Sequence, residues 1–517
     1  MANSLLAWRA QLVFALCLPL AVLLGYMLAD PNDFISVLVI TGIIGLLSVP
    51  ILMHSYHLLL IISWNAAIAP YFLPGQPFLW MLLSFVGFGF AIVNRFTSPE
   101  ASFVPVPSVT RPVVALLAIV LVTAFLRGGI GFRVFGSGQY GGRGYFYILA
   151  AILGYFALIS QRIPKNRVHL VVALFFLTGL TSFVPNLAYL AGRRLDFLYY
   201  VFPLSYALEQ AVGDYSVTAQ YTRILGLTYG SVALYCWLLA RYGLRGIFNL
   251  AKPLRLVLFI AATVGCFYCG FRSFMVLFIL VVGVQFFVEK LYQPRVLLVL
   301  GLGGALIGAA ALPNLDRLPL VVQRSIAFMP LPLSPVISVS ATESSRWRLE
   351  MWRDVWEDME NHQYEYLWKG KGYSIDPNEL ALSLYSSERG LGTKYAWAMV
   401  SGAYHNGPLT VLIPFGVWGA GAFVWFVIAS IKYLYRNYRY GDPDLKTINT
   451  FLLAYFIARV VYYTGVFGSF FTDLFVFTGI IALSISINGA ELPVAEEAEE
   501  PATRPVDEEG LAGAGAQ

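Results

Sequence analysis

Residues 409–431, LTVLIPFGVWGAGAFVWFVIASI, form a continuous apolar run of the length that one membrane-spanning helix requires. The run directly follows His405 and Asn406, at the end of a polar segment, and contains Gly416 and Gly419 near its start. The junction therefore has the pattern HNx9GxxG. A titratable imidazole at the mouth of a membrane helix is well placed to move protons. This junction is the strongest indication of function in the sequence.

The composition places this run in a membrane protein. The chain has 517 residues, of which 58% are hydrophobic and 12% charged, and its mean hydropathy is +0.70. These values exclude a soluble globular protein of this length. We predict an all-α, polytopic membrane helix bundle with about 12 to 14 transmembrane helices. The candidate spans cover residues 12–29, 34–53, 55–72, 78–93, 112–127, 144–160, 168–185, 223–240, 255–271, 273–288, 295–312, 408–432, 447–464 and 468–486.

The basic residues predict the orientation of the bundle. With both termini in the cytoplasm, the inside loops carry most of the lysines and arginines, whereas the short outside loops at 30–33, 73–77 and 465–467 carry none. The first span follows Arg9 and resembles a signal sequence, but its cleavage pattern is poor, so we expect it to be retained. This orientation places the only long hydrophilic segment, 313–407, outside the cytoplasm.

The predicted organisation has five parts. These are N-terminal transmembrane helices (1–254), helices carrying Arg272 (255–312), a large helical periplasmic loop (313–407), C-terminal transmembrane helices (408–487) and a disordered acidic cytoplasmic tail (488–517). The cysteines all lie in apolar runs and predict packing rather than a disulfide or zinc site.

The predicted outer face is rich in arginine. Three arginines flank or occupy a glycine-rich loop and three more bracket a second loop, while Arg272 lies in a short turn, CGFRSF. The loop arginines are Arg127, Arg133 and Arg143 in the first group and Arg193, Arg194 and Arg223 in the second. A guanidinium can hold a phosphate through two hydrogen bonds, so this pattern favours an anionic ligand. Alternatively, the loop arginines extend to lipid headgroups or pair with Asp196 and Asp214.

The long loop contains an amphipathic segment, SSRWRLEMWRDVWEDMENH, at 344–362. Helical spacing predicts one apolar stripe, formed by Leu349, Trp352, Val355, Trp356 and Met359. The stripe is typical of a helix that lies on the membrane surface or against the bundle, and the simplest interpretation is an interfacial helix. The preceding apolar segment, 327–341, fits either an acceptor-binding surface or a membrane contact.

Four motifs in order carry a family resemblance. CGFRSF, RLEMW, LWKGKGY and HNGPLTVLIPFGVWG resemble the shared C-terminal core of the O-antigen ligase and O-antigen polymerase superfamily. The resemblance covers residues 255–430 by motif and the earlier helices only by general architecture. Two features depart from the family pattern. Phe271 stands where serine often precedes the helix-end arginine, and the loop offers Arg346 as well as Arg348. Arg348 has the expected spacing to Trp352.

The resemblance implies an inverting glycosyltransferase of the bacterial inner membrane that needs no metal or other cofactor. It would move a glycan from undecaprenyl diphosphate to a hydroxyl of an acceptor glycan or of the lipid A core, as an O-antigen ligase or as an O-antigen or exopolysaccharide polymerase. The implied catalytic residues are His405, the general base, and Arg272 and Arg348, which bind the diphosphate. The implied substrate-binding residues are Arg346, Arg223, Asn406 and Trp352.

Other function classes fit the sequence less well. A flippase for lipid-linked oligosaccharides, or another polysaccharide transporter, would account for the spans and arginines, but we find no internal repeat with matching charged or broken helices. A scaffold protein of an export complex would not require His405. We find no phosphate loop or HExxH motif, and expect Asp442 and Asp444 to form a turn. Nucleic acid is not an expected partner.

Overall fold

The computed structural model describes residues 15, 17–26, 34–97, 103–132, 137, 138, 140–215, 222–361, 364–388 and 395–490. The N-terminus, Arg133, His362 and the predicted acidic tail from residue 491 onward lie outside the described residues. Within the described part, every regular element is helical, and the strand-like pairing is a bridge between Tyr140 and Ile375. The helices are α1 (Cys17–Tyr26), α2 (Phe34–Ser63), α3 (Leu79–Thr97), α4 (Pro107–Arg127), α5 (Gly142–Ile159), α6 (Val168–Leu177), α7 (Phe183–Ala191), α8 (Leu204–Tyr215), α9 (Leu225–Ile247), α10 (Pro253–Tyr268), α11 (Arg272–Val288), α12 (Pro294–Ala311), α13 (Leu320–Ile326), α14 (Pro335–Asn361), α15 (Glu365–Lys369), α16 (Pro377–Glu388), α17 (Ala396–Ser401), α18 (Gly407–Tyr440), α19 (Lys446–Gly465) and α20 (Phe470–Asn488).

The chain is a multi-pass membrane protein. Nine stretches of the described residues are helical, long and apolar enough to cross a bilayer, and α1, α10 and α11 are shorter apolar helices. The nine stretches are Gly42–Ser63, Leu79–Thr97, Pro107–Arg127, Gly142–Ile159, Lys165–Ala191, Pro294–Arg317, Gly407–Tyr440, Pro443–Gly465 and Phe470–Asn488. Among the described residues, fewer helices meet this requirement than the 12 to 14 expected for the whole chain, since α10 and α11 are 16 and 17 residues long and α9, although long enough, is not among the nine.

The N-terminal part contains one further difference. The sequence predicted two spans at 34–53 and 55–72, but α2 continues without interruption from Phe34 to Ser63, and residues 64–78 contain no helix. The prediction of two spans is therefore wrong. The prediction had two crossings between the loops at 30–33 and 73–77, whereas the structure has one helix there. If all later loops keep their predicted sides, the loop at 30–33 is no longer predicted to lie outside.

The core of the bundle is formed by α5, α19 and α20 with α3, α9 and α18 around them. Large aromatic side chains fill it, among them Trp64, Tyr155, Phe456 and Phe477, each at most 1% exposed. In contrast, α12 has no buried residue among those whose exposure the structure describes, and its leucines face outward. Apolar side chains exposed along a whole helix fit a lipid bilayer, which is the natural surrounding of this face.

The segment between α12 and α18 contains five helices, of which α14 is the longest. It runs from Pro335 to Asn361 and so begins earlier than the predicted amphipathic segment. Its buried face includes Met351, Val355 and Met359, which pack against Tyr395 and other residues that precede α18. The predicted stripe is correct at 352, 355 and 359, but Leu349 is 61% and Trp356 50% exposed. The buried face of α14 is displaced from the predicted stripe because the residues around Tyr395 pack against the side of the helix that carries Met351.

The predicted turn around Asp442 is confirmed. The Asp442 side chain accepts a hydrogen bond from the backbone N–H of Asp444 at 3.0 Å and forms an ion pair with Lys165. This lysine also keeps the pKa of Asp442 below its usual range. The carboxylate of Asp442 thus has a structural role in the connection between α18 and α19.

Candidate functional site

His405 lies in the short connection between α17 and α18. Its backbone has φ = 53°, in the left-handed region that non-glycine residues rarely adopt. The next residue, Asn406, caps α18 because its side-chain oxygen accepts a 3.2 Å hydrogen bond from the N–H of Leu409. Pro408 follows at the start of the helix, where a missing N–H costs nothing. The HNGP sequence therefore starts the membrane helix and fixes His405 at its end.

Two aromatic rings enclose the imidazole of His405. The ring centroid of Trp347 lies 5.5 Å from that of His405, in an edge-to-face arrangement, and the Phe467 centroid lies at 5.2 Å. Burial lowers the pKa of His405, and the positive charge of Arg348 lowers it further, to about 4. The side chain is therefore neutral at physiological pH and able to accept a proton.

Trp352 attaches α14 to the His405 connection. Its indole Nε1 donates a 2.8 Å hydrogen bond to the carbonyl oxygen of Tyr404, the residue before His405. Tyr404 is buried together with Met351 and Val355 in the small apolar cluster below α14. The RLEMW motif and the HN motif are therefore in direct contact, which their separation in the sequence does not reveal.

Arg348 lies in a crowded group of positive charges. Burial lowers the pKa of its guanidinium, and the charges of Arg324 and Arg223 lower it as well, whereas Tyr462 acts in the opposite direction. The Arg348 Nε is buried and has no hydrogen-bond partner among the described residues. A guanidinium remains charged even so. Like charges gathered at a partly buried place repel one another, and an anion bound there offsets this repulsion.

Arg272 begins α11 and reaches across to α14. Its guanidinium donates hydrogen bonds to the carbonyl oxygen of Ala341 and to the hydroxyls of Ser344 and Ser345, at 3.1–3.2 Å. Ser344 lies one helical turn before Arg348. The structure thus brings Arg272 against the α14 turn that precedes Arg348, which itself lies beside His405.

The other arginines named from the sequence lie elsewhere or have carboxylate partners. Arg346 is exposed, and it is turned about 200° from Arg348 around the helix. Arg127 forms a 2.9 Å ion pair with Glu365, and Arg223 lies 3.8 Å from Glu209 while its guanidinium covers the Phe271 ring. Arg143 lies over Tyr147, and Arg193 and Arg194 are exposed. The acidic partners therefore differ from the predicted Asp196 and Asp214.

The LWKGKGY motif docks on a break in α18. Gly416 has φ = 64°, which interrupts the helix one turn after Leu412. The break releases the carbonyl groups of Ile413 and Pro414 from the hydrogen bonds of the helix. The N–H groups of Lys371 and Gly372 donate to these two carbonyls at 2.8 and 3.0 Å. Gly370 must be glycine here, because a Cβ would lie 2.3 Å from the Pro414 oxygen. The motif thus completes the hydrogen bonds of the broken helix and holds the part before the break, residues 407–415, in place.

Three charged residues near the site were missed from the sequence. Arg324 in α13 is 5% exposed, and Arg459 in α19 forms a buried 2.6 Å ion pair with Asp473 of α20. Arg459 and Asp473 lie inside predicted spans, and charged residues within membrane segments are by themselves a signal of function. That signal is present in the sequence. Arg324 carries a weaker one, as a single arginine in the apolar stretch 320–328.

In the described part of the chain, no three histidine, cysteine or acidic side chains come close enough to hold a metal ion. No protein-family model matches the chain, and no curated protein is significantly similar to it in sequence.

Proposed function

We propose that the chain is an integral-membrane glycosyltransferase that moves a glycan from a lipid diphosphate to an acceptor hydroxyl at the face carrying the loop 313–407. The observation that carries this proposal is that Trp347 contacts both the half-buried imidazole of His405, at 5.5 Å between ring centroids, and the guanidinium of Arg348, which lies 5.6 Å from the Trp347 ring. A base next to a site for a strongly charged anion fits a reaction that deprotonates a hydroxyl and releases a diphosphate.

The arginines supply the anion site. Arg324 is buried and Arg348 is half-buried, and Arg223 contributes a further positive charge to this region. Breaking the anomeric C–O bond of a glycosyl diphosphate leaves the bonding electrons on the phosphate oxygen, so negative charge develops there. Guanidinium groups already in place stabilise such charge because they need not reorganise during the reaction. Arg272, fixed by three hydrogen bonds to α14, completes the group.

His405 acts as the general base. The acceptor oxygen forms a bond to the anomeric carbon while its proton passes to the imidazole, and the diphosphate leaves from the opposite side, which inverts the configuration. The ordinary imidazole pKa suits this task better than a value of about 4. A bound diphosphate offsets the charge of Arg348, however, and this raises the pKa of His405 when the donor is present.

The resemblance to O-antigen ligases and polymerases supports the same chemistry. It implies that the donor is an undecaprenyl-diphosphate-linked glycan at the periplasmic face of a bacterial inner membrane. The acceptor is then another lipid-linked glycan or the lipid A core. A flippase would account for the arginines, but it has no need of a base beside them.

The proposal is tested in sealed vesicles whose lipid-linked glycan is already exposed on the loop side. We expect the wild-type protein to elongate the glycan or transfer it to added lipid A core. His405→Ala should reduce the rate about 10²-fold to 10⁴-fold at unchanged membrane insertion. Unchanged transfer by His405→Ala would refute the general base. Activity only when the donor starts on the opposite face would identify a flippase.

A further inference from the structure

A cavity of about 400 Å³ lies inside the bundle, beneath the candidate site. Its walls come from the ends of helices that meet on the side of the long loop, including the starts of α3, α5, α9 and α11 and the last turns of α19. Cavities of this size accommodate small polar ligands. Phe274 of the CGFRSF motif contributes to its walls, but the cavity contains none of the residues to which the mechanism above assigns a role.

The cavity contains a buried ion pair with an unused donor. Arg459 and Asp473 are joined at 2.6 Å, with side-chain exposures of 9% and 13%. The other carboxylate oxygen of Asp473 accepts a hydrogen bond from the N–H of Ser469 at 2.8 Å. The Arg459 Nε is buried without a hydrogen-bond partner among the described residues. A buried charged donor without an acceptor is unfavourable, and a hydroxyl or another acceptor of a ligand in the cavity would satisfy it.

The remaining walls are mainly aromatic. Trp64 and Trp80 pack with ring centroids 5.3 Å apart, and Tyr206 and Tyr229 stack at 5.8 Å. Aromatic rings offer an apolar face together with a polar N–H or O–H group. A sugar ring has the matching surface, since its C–H groups form an apolar face and its hydroxyls lie at the edge. A guanidinium and a carboxylate side by side can donate to and accept from neighbouring hydroxyls.

The cavity adjoins the candidate site. Phe467 lines the cavity and also contacts the imidazole of His405, at 5.2 Å between ring centroids. Tyr462, another wall residue, interacts electrostatically with Arg348. Only one side chain, Phe467 or Tyr462, therefore separates a ligand in the cavity from the proposed base and from the anion site. Neighbouring parts of one substrate would lie about this close together.

We propose that this cavity binds one sugar residue of the glycan, with Arg459 and Asp473 holding its hydroxyls and the Trp and Tyr rings covering its faces. The inference rests on the proposed function for the identity of the glycan. The sugar site is distinct from the diphosphate site formed by the arginines around His405, and the two can be tested separately.

The test uses saturation-transfer NMR on the full-length protein in detergent, with glucose, galactose, rhamnose, N-acetylglucosamine and glucuronic acid as probes. Thr472 is exposed at the cavity wall, so Thr472→Trp narrows the cavity without entering the core. Thr464→Trp is the matched control, because Thr464 is exposed near the end of α19 and does not line the cavity. Asp473→Asn, checked for stability, tests the ion pair itself.

We expect transfer to at least one sugar in the wild type and in Thr464→Trp, and at least a fivefold smaller signal in Thr472→Trp. Equal signals in the two tryptophan variants, or no transfer to any of the five sugars, would overturn the sugar site. Pyrophosphate binding is measured in the same samples and should be equal in all variants. A protein that binds sugar but not pyrophosphate would count against the proposed function instead.

Discussion

The indole nitrogen of Trp352 donates a 2.8 Å hydrogen bond to the carbonyl oxygen of Tyr404, and this bond joins α14 to the residue before His405. Trp352 therefore acts on the proposed base through the backbone and not through the substrate. Arg348, one turn away on the same helix, comes to His405 by the same attachment.

Replacing Trp352 with phenylalanine tests this positioning role. Trp352→Phe keeps an aromatic ring in the half-buried site but loses the hydrogen bond, which contributes about 1 kcal/mol. We expect the turnover rate to fall roughly fivefold. The acid limb of the pH–rate profile should also move toward the ordinary imidazole range as His405 becomes more hydrated. A lower melting temperature with an unchanged pH profile would indicate a purely structural role.

The pH dependence of the reaction reports on His405 directly. Its pKa in the free protein is about 4, below the ordinary value, so the base is present above that pH and is lost as the pH falls through it. We expect the acid limb of kcat/KM near pH 4 and that of kcat at higher pH, since bound diphosphate offsets Arg348. Arg348→Gln should shift the acid limb of kcat/KM to higher pH, because the positive charge that lowers the pKa of His405 is removed. Identical limbs in the wild type and Arg348→Gln would contradict the coupling.

The affinity for pyrophosphate tests the arginine group. Arg348→Gln removes a half-buried charge, and hydrogen bonds to charged groups contribute about 1.5–3 kcal/mol. Titration calorimetry should therefore show binding that is weaker by roughly tenfold or more. Arg348→Lys should restore only part of it, because an ammonium lacks the planar fork. Arg193→Gln, which changes an exposed arginine elsewhere, should bind like the wild type.

Stability measurements test the break in α18. Alanine at Gly416 would have to adopt φ = 64° with its Cβ 2.9 Å from the carbonyl oxygens of Leu367 and Trp368. We expect Gly416→Ala to reduce the free energy of unfolding by about 1–3 kcal/mol. Gly421→Ala in the same helix is the control, since its Cβ meets open space. Equal melting temperatures for the two variants would show that the break is not required.

Much of the fold follows from composition and apolar periodicity, which predict an all-helical membrane protein and a long polar segment before α18. Boundaries were less predictable. A stretch such as 34–63 is apolar throughout, so nothing in it distinguishes one long helix from two short ones with a turn between them. The structure settles this through Trp64 and the residues after it, which leave the helix to pack against Trp80 and Phe475.

The site was partly predictable for a different reason. His405, Arg348 and Arg272 stand in recognisable motifs, but their approach depends on long-range contacts such as those between Arg272 and the serines of α14. Arg324 has no motif around it, and its importance comes only from its burial near Arg348. The low pKa of His405 likewise depends on Trp347 and Phe467, which local sequence does not place beside it.

The break at Gly416 has a mechanical consequence. After the break, the stretch from Val417 to Tyr440 is about 36 Å long, which is enough to cross a bilayer by itself. Before the break, the short helical segment that begins at Gly407 is held by hydrogen bonds from the backbone amides of Lys371 and Gly372. If the helix after Gly416 tilts in bilayers of different thickness, we expect the bend to form at this glycine and His405 to keep its alignment with the loop.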